Sequence, residues 1–295
     1  MTQTARTTAR LRLDWVNTLF LGFSHLMAVT AIVYLAAVKA SPWTLGLALV
    51  WFMCCAVSIT GGYHRLFAHK TYRAIAPLRA FYLLFGAASV QNSALKWSSD
   101  HRRHHAFTDD EADPYNITRG FWWAHVGWVL FKNPKEQLAG VNDLKRDRLI
   151  LLQDRFYLPL ALGFGTGGPA LIGLLWGDPI GCLLVAGFLR LVIQWHATFA
   201  VNSVAHCIGS RPFCTRTSAR NSFLTAFITL GEGYHNFHHR FQTDYRNGVR
   251  WFHFDPTKWF VWCLSKVGGT WDLQRTPAHR IARARAEVTE QQQAG

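Results

Sequence analysis

Four stretches of this chain exclude charge almost completely, and they constrain its fold more than any other feature. Trp15 to Val38 contains no Asp, Glu, Lys or Arg. At about 1.5 Å rise per residue, a helix of that length covers about 36 Å, enough to cross a bilayer with some tilt. Trp43 to Thr60 is a second uncharged run, after the turn signal Ser41-Pro42. Phe156 to Trp176 is a third, and Ile180 to Ala205 a fourth, interrupted only by Arg190. The turn signal Gly177-Asp178-Pro179 joins the last two. The four runs therefore read as two hairpins with very short outer loops. Arg190, inside a span, is expected to snorkel or pair.

The formal net charge of +14 would suit a nucleic-acid binder, but its distribution points to membrane topology instead. Of the 31 Lys and Arg, 29 lie before Trp15, between Thr60 and Phe156, or after His206. Only Lys39 and Arg190 fall elsewhere. The positive-inside rule then puts both termini and the large middle loop in the cytoplasm. The bilayer, not nucleic acid, is the expected partner. The expected location is integral and multi-pass, in a bacterial cytoplasmic membrane.

Two further apolar segments need placing. Ile75 to Leu95 is nearly apolar enough to span, but it contains Arg79, Gln91 and Asn92. It is expected to be an amphipathic helix at the interface, and Gly120 to Phe131, with Trp122, Trp123 and Trp128, a second. Residues 1–14 form a basic cytoplasmic segment with no small-residue cleavage site after a short apolar core, so no signal peptide is expected. Residues 15–277 read as one domain, and 278–295 as a polar tail, frayed or disordered. None of the six cysteines forms a Cys-x-x-Cys pair, and a disulfide framework is not expected.

Eight of the fourteen histidines fall in three windows: His64 and His69; His101, His104 and His105; His235, His238 and His239. In the second and third, spacing i, i+3, i+4 puts the imidazoles on one helical face, so each window directs three nitrogen donors at one place. Neutral imidazole suits iron, zinc, copper and nickel, and eight ligands are too many for one ion. A solvated histidine face would not repeat this spacing over a hundred residues away. The chain has no His-Glu-x-x-His and a single Glu-x-x-His, from Glu232 to His235. Carboxylate-bridged di-iron bundles need that motif on two helices plus two further glutamates, so the centre reads as histidine-rich. All three windows lie on the side assigned to the cytoplasm. Iron with open positions activates dioxygen against an unactivated C–H bond, and the hairpins would supply a dry slot for an acyl chain. The expected fold is thus all-α and integral to the membrane: four spans in two hairpins, interfacial helices, and a cytoplasmic di-metal cap. His25, His125 and His196 are expected to be hydrogen-bonded packing residues, and His253 and His279 surface groups.

The chain resembles the membrane-bound fatty acyl desaturases, in particular their stearoyl-CoA (Δ9) branch. The likeness runs from about Trp15 to about Asp272. It is carried by His64-Arg65-Leu66-Phe67-Ala68-His69, by Asp100-His101-Arg102-Arg103-His104-His105 and by Gly231-Glu232-Gly233-Tyr234-His235-Asn236-Phe237-His238-His239. Ala112-Asp113-Pro114, Arg119-Gly120-Phe121 and His125-Val126-Gly127-Trp128 add to it. Related sterol and alkane hydroxylases usually have a closer first window. The resemblance implies a ninth ligand, His206, with Asn202 acting through water, and two iron ions, with zinc possible after overexpression. It implies that Gln91, Trp97 and Thr198 line the bend presenting the reacting carbons. It also implies that Asn92, Asp100 and Arg119 contact the head group, and that Phe52 and Ala56 close the tunnel. Phe52 stands where a tyrosine is common. The family commonly has Arg-Asp before the second window, where this chain has Ser99-Asp100; that removes one candidate cation for coenzyme A and leaves an acyl-lipid or carrier-bound substrate open.

The expected activity is oxygen-dependent Δ9 desaturation of a palmitoyl or stearoyl chain, as acyl-CoA. An acyl-lipid desaturase or fatty acyl hydroxylase on the same scaffold is the alternative. A metal-binding transporter would place ionisable residues at mid-membrane on several helices, and few are present. The sequence shows no dinucleotide-type Gly-x-Gly-x-x-Gly following a strand and no fused haem domain, so no bound flavin, haem or nicotinamide is expected. Electrons would then come from a separate donor protein on the cytoplasmic face.

Overall fold

A computed structural model describes residues 11–38, 40–132 and 138–294. Most of the expected N-terminal segment and Lys39 lie outside the described residues. Four helices are long and apolar enough to cross a membrane. They are α1 (Trp15–Ala37), α2 (Pro42–Ala68), and, after the shorter helices of the middle segment, Pro159–Trp176 and Pro179–Cys207. The middle segment holds α3 (Ala76–Ala87), α4 (Ala94–Ala106) and α5 (Arg148–Arg155). The third and fourth spans are therefore α6 and α7. Beyond them come α8 (Phe223–Ile228), α9 (His235–Arg240), α10 (Pro256–Lys266) and α11 (Ala278–Gln293). A two-stranded antiparallel pairing of β1 (Arg73–Ala74) with β2 (Thr270–Trp271) ties the middle segment to the C-terminal part.

The spans turn apolar side chains outward. Val16, Leu19, Val33, Leu171 and Leu175 are all well exposed, an arrangement that suits hydrocarbon rather than water. One carboxylate joins the turn ends of the two hairpins. Gly177 takes the left-handed conformation at φ +74°, and Asp178 then caps the start of α7 through Gly181 N. The same carboxylate accepts from Tyr34 of α1 (2.8 Å) and Thr44 of α2 (2.6 Å).

The structure corrects several sequence-level expectations. The helix of the second run does not stop at Thr60 but continues to Ala68, so His64 lies within it. Ile75 to Leu95 is not one helix. The chain breaks after Ala87, passes Val90 and Asn92 at positive φ, and restarts as α4 with Ser93 as its cap. Residues 278–293 are neither frayed nor disordered: Ile281, Ala284 and Val288 are buried, and Ile281 joins the Phe213–Phe237 cluster. Of the two alternatives for Arg190, it pairs rather than snorkels: it is buried and donates to the Ala88 and Gly165 carbonyls.

The core beneath the cap is built where α2 meets α3, α4, α5 and α10, around Tyr63, Phe67, Tyr82, Leu95, Ile150 and Val261. Glycine makes the tightest approach possible. A Cβ on Gly62 would stand 2.6 Å from Tyr82, and one on Gly86 would stand 2.2 Å from the Tyr63 ring. The two tyrosines interlock across these glycines and fix α3 against the end of α2 that carries His64.

Candidate metal centre

Local backbone geometry explains why the first window differs from the other two. Residues Ser58–Ala68 are wound as a π-helix, and His69 N donates to His64 O at 3.1 Å, five residues back. In an α-helix, i and i+5 diverge; in a π turn they share a face. His64 and His69 therefore point to one place.

The other two windows are each split. α4 sends His101 and His105 to one group and His104 to another. α9 sends His238 to the first group and His235 with His239 to the second. The first group is His64, His69, His101, His105 and His238; the second is His104, His206, His235 and His239. Within each, the donor atoms all lie within 4.8 Å of one another. Each window was expected to aim at one place, and instead each divides two and one. The i, i+4 pair faces one group while the remaining imidazole, rotated around the helix, faces the other.

The donor chemistry fits two metal ions. In the first group the facing atoms are all Nε2: His64 to His238 at 2.9 Å, His69 to His101 at 2.8 Å, and His105 to His238 at 2.9 Å. His64 Nδ1 donates to Glu232 (2.8 Å) and His104 Nδ1 to Asp113 (2.9 Å). A carboxylate only accepts, so the proton sits on Nδ1 and the Nε2 lone pair of each of these two is free. Those two lone pairs face into the two groups, where a metal ion could take them up. In the second group, His206 Nε2 is buried with no hydrogen-bond partner, which makes it an orphan that a metal would satisfy. Its Nδ1 is held by Ser218 (2.6 Å), which in turn donates to Asp109 (2.5 Å). These outer partners fix ring orientation and raise ligand basicity.

The sequence reading missed this outer layer. In the sequence Glu232 stands only as half of a ligand motif, yet in the fold it orients His64, bonds Arg65 (3.0 Å) and accepts from Asn247 (2.6 Å). Burial pushes its carboxyl up, but His64 and Arg65 outweigh that and hold it at about 2. Arg65 is buried and also pairs with Asp255 (2.9 Å). An arginine and a glutamate embedded in histidine windows were the available signal.

An apolar slot runs from the histidines into the membrane helices. Phe52, Ala56, Trp97, Thr198 and Asn202 line it, together with His64, His101, His104 and His235. Trp97 stacks on His101 at 4.8 Å. Gln91 stands behind the wall and donates to Thr198 (3.0 Å). Asn92, Asp100 and Arg119 are not brought to the slot. Asn92 N bonds the Tyr157 hydroxyl, Asp100 pairs with Lys96 and Arg103, and the Arg119 guanidinium lies over Trp123. His25, His196 and His125 bond one another in a row ending on Ser203, apart from both groups.

Burial, reinforced by neighbouring imidazoles, holds His69, His101, His105, His235, His238 and His239 well below the ordinary histidine range. The metal-free folded protein therefore keeps them neutral where an unfolded chain takes up protons. Stability is fully present above about pH 6.5 and falls as pH drops below it. The thermal midpoint of chelator-treated protein should fall steeply on acidification below about pH 6.5. A flat midpoint across that range would contradict buried neutral imidazoles.

Comparison with known proteins agrees with this geometry. The sequence profile of the fatty acid desaturase family matches residues 40–262. A Schizosaccharomyces pombe protein described as "Probable acyl-CoA desaturase" is 47% identical over 241 residues, covering 81% of this chain and 50% of its own length. Acyl-CoA desaturase 1 of Saccharomyces cerevisiae is 47% identical over 231 residues, covering 77% of this chain and 45% of its own. Stearoyl-CoA desaturase of Sus scrofa is 36% identical over 273 residues, covering 90% of this chain and 76% of its own. The chain thus spans about half the length of the two yeast relatives. With two converging histidine groups at the mouth of an apolar slot and a profile match over most of its length, the chain belongs to the fatty acid desaturase family.

Proposed function

We propose that the protein is an oxygen-dependent acyl-CoA desaturase that places a cis Δ9 double bond in palmitoyl and stearoyl chains at a di-iron centre. One observation carries this reading: a single apolar slot has histidines of both groups, His64 and His101 with His104 and His235, in its wall. A saturated chain lying there would present its carbons to both ions at once. The names of the relatives support coenzyme A as the acyl carrier.

Iron held by the nine histidines would supply the activation of dioxygen. The remaining chemistry belongs to the protein. Glu232 and Asp113 hold the His64 and His104 rings in register. Trp97 and Thr198, the latter fixed by Gln91, shape the slot beside the histidines. A fixed bend sets which carbons stand nearest the metals and favours a cis product. Asn202, in the slot wall, is proposed to reach the second ion through water. Arg119 is exposed at the surface and, with Asn92 and Asp100, is proposed to meet the head group. Electrons are proposed to arrive from a separate donor protein on the same face. The test is expression in a host lacking its own Δ9 enzyme, followed by gas chromatography–mass spectrometry with double bonds located. New Δ9 palmitoleoyl and oleoyl chains are expected, and hydroxylated chains in their place would overturn the reading.

The segregation of Lys and Arg supports a topology with both termini and the metal centre in the cytoplasm. In a cysteine-free background, a cysteine at Ser41 should be labelled from outside and one at Thr108 only from inside. Labelling of position 108 from outside would mean that the metal centre faces the other compartment.

A further inference from the structure

The deep end of the slot is not closed by apolar side chains alone. α7 presents Gln194, Thr198 and Asn202 to it, spaced four apart and so on one helical face. Asn202 stands at the histidine end. Gln194, two turns away along a regular helix, is about 12 Å deeper. That is the end where α2 contributes Ala56 and Phe52.

Gln194 is 3% exposed and its amide is pinned on both sides. Nε2 donates to Ser89 Oγ at 2.9 Å, and Oε1 accepts from Arg190 Nη1 at 3.4 Å. Arg190, also 3% exposed, donates to Ala88 O at 3.0 Å, Gly165 O at 2.8 Å and Ala186 O at 3.0 Å. Ser89 Oγ donates in turn to Phe85 O at 3.0 Å. One network thus ties the end of α3, the third span and the fourth span beneath the slot. An apolar wall yields to an overlong chain by shifting rotamers. A pinned amide yields only by breaking hydrogen bonds to buried groups that no water can reach to replace.

We infer that Gln194, held by Ser89 and Arg190, is the specificity-determining floor of the slot and sets the longest saturated acyl chain accepted. The inference rests on the desaturase reading. Its test offers palmitoyl-, stearoyl- and eicosanoyl-CoA in competition to the full chain with an electron-donor system. Gln194→Ala opens the floor, and Gln194→Leu keeps its volume but removes the pins. The eicosanoyl share of product should rise about tenfold in Gln194→Ala and by less in Gln194→Leu. Ser89→Ala leaves the lining residue in place and releases its Nε2, one of the two pins; it should move the share in the same direction and decides the matter if the Gln194 variants do not fold. A turnover-independent readout accompanies this: eicosanoyl-CoA should raise the thermal midpoint of Ser89→Ala and Gln194→Ala protein more than it raises that of the unaltered chain. Variants that desaturate palmitoyl chains with an unchanged eicosanoyl share and an unchanged midpoint response overturn the inference. Failure of the unaltered chain to desaturate any thioester overturns the desaturase reading, and the inference with it.

Discussion

Replacing His238 with alanine should abolish desaturation and empty the first metal position, while the protein still inserts and folds. His238 is buried, and its Nε2 lies 2.9 Å from the Nε2 atoms of both His64 and His105. It is the sole contribution of α9 to the five-histidine group. His104→Ala should have the matching effect on the second group, where it is the one residue from α4 among four. Loss of an outer-layer partner typically costs 10–100-fold in metal affinity or activity, so loss of a direct ligand should exceed about 100-fold. Each variant is checked by metal analysis and by product formation, with helicity in detergent as the control for folding. Zinc is to be expected in some preparations, because nitrogen sites bind it more tightly than ferrous iron. Metal content and turnover surviving either substitution would show that the ligand assignment is wrong.

The four spans were legible because charge is excluded from them, and the hairpin turns because Ser41-Pro42 and Gly177-Asp178-Pro179 have clear turn chemistry. The end of the second span was not legible. Arg65 reads as a polar boundary in sequence, but in the fold it is buried against Glu232 and Asp255, and hydropathy cannot register a partner 167 residues away. The fold brings the histidines of all three windows together in two groups. Spacing fixes which face of a helix a residue occupies, but not which neighbouring helix that face meets. The two-and-one division of each window therefore emerges only from the packing of α4 against α9. Nothing in the first window announces a π turn, yet without it His64 and His69 could not share a site. The C-terminal helix is a different case. Ile281, Ala284 and Val288 stand at i, i+3 and i+7, a helical stripe that was present in the sequence under the surrounding arginines. Gln194 and Arg190 were visible as polar residues in an apolar run, but their mutual support depends on Ser89, Ala88 and Gly165 from other segments.

On the proposed activity, substituting phenylalanine for Ala56 should shift product from stearoyl toward palmitoyl chains. Ala56 and Phe52 are four residues apart on α2, and both line the slot. Counting back from His64 as an α-helix puts them about 12 Å and 18 Å from the metal end. The π turns from Ser58 onward rise less per residue, so both stand nearer the metals than that count gives, and a change at Ala56 bites sooner. Ala56 is buried, and the same slot is lined by Gln194, held by hydrogen bonds rather than free to swing. The added ring cannot be absorbed by either side. Overfilling a packed apolar space typically costs about 1–3 kcal/mol, and the longer chain would bear that penalty first. About 1.4 kcal/mol of difference between the two substrates would lower the stearoyl-to-palmitoyl product ratio about tenfold. The phenolic hydroxyl missing at Phe52 leaves the slot length little changed, so the unaltered protein should accept both substrates. The measurement is the ratio of oleoyl to palmitoleoyl product from equimolar thioesters. An Ala56→Phe protein that is active with an unchanged ratio would mean that Ala56 and Phe52 only pack between helices and that the acyl chain ends elsewhere.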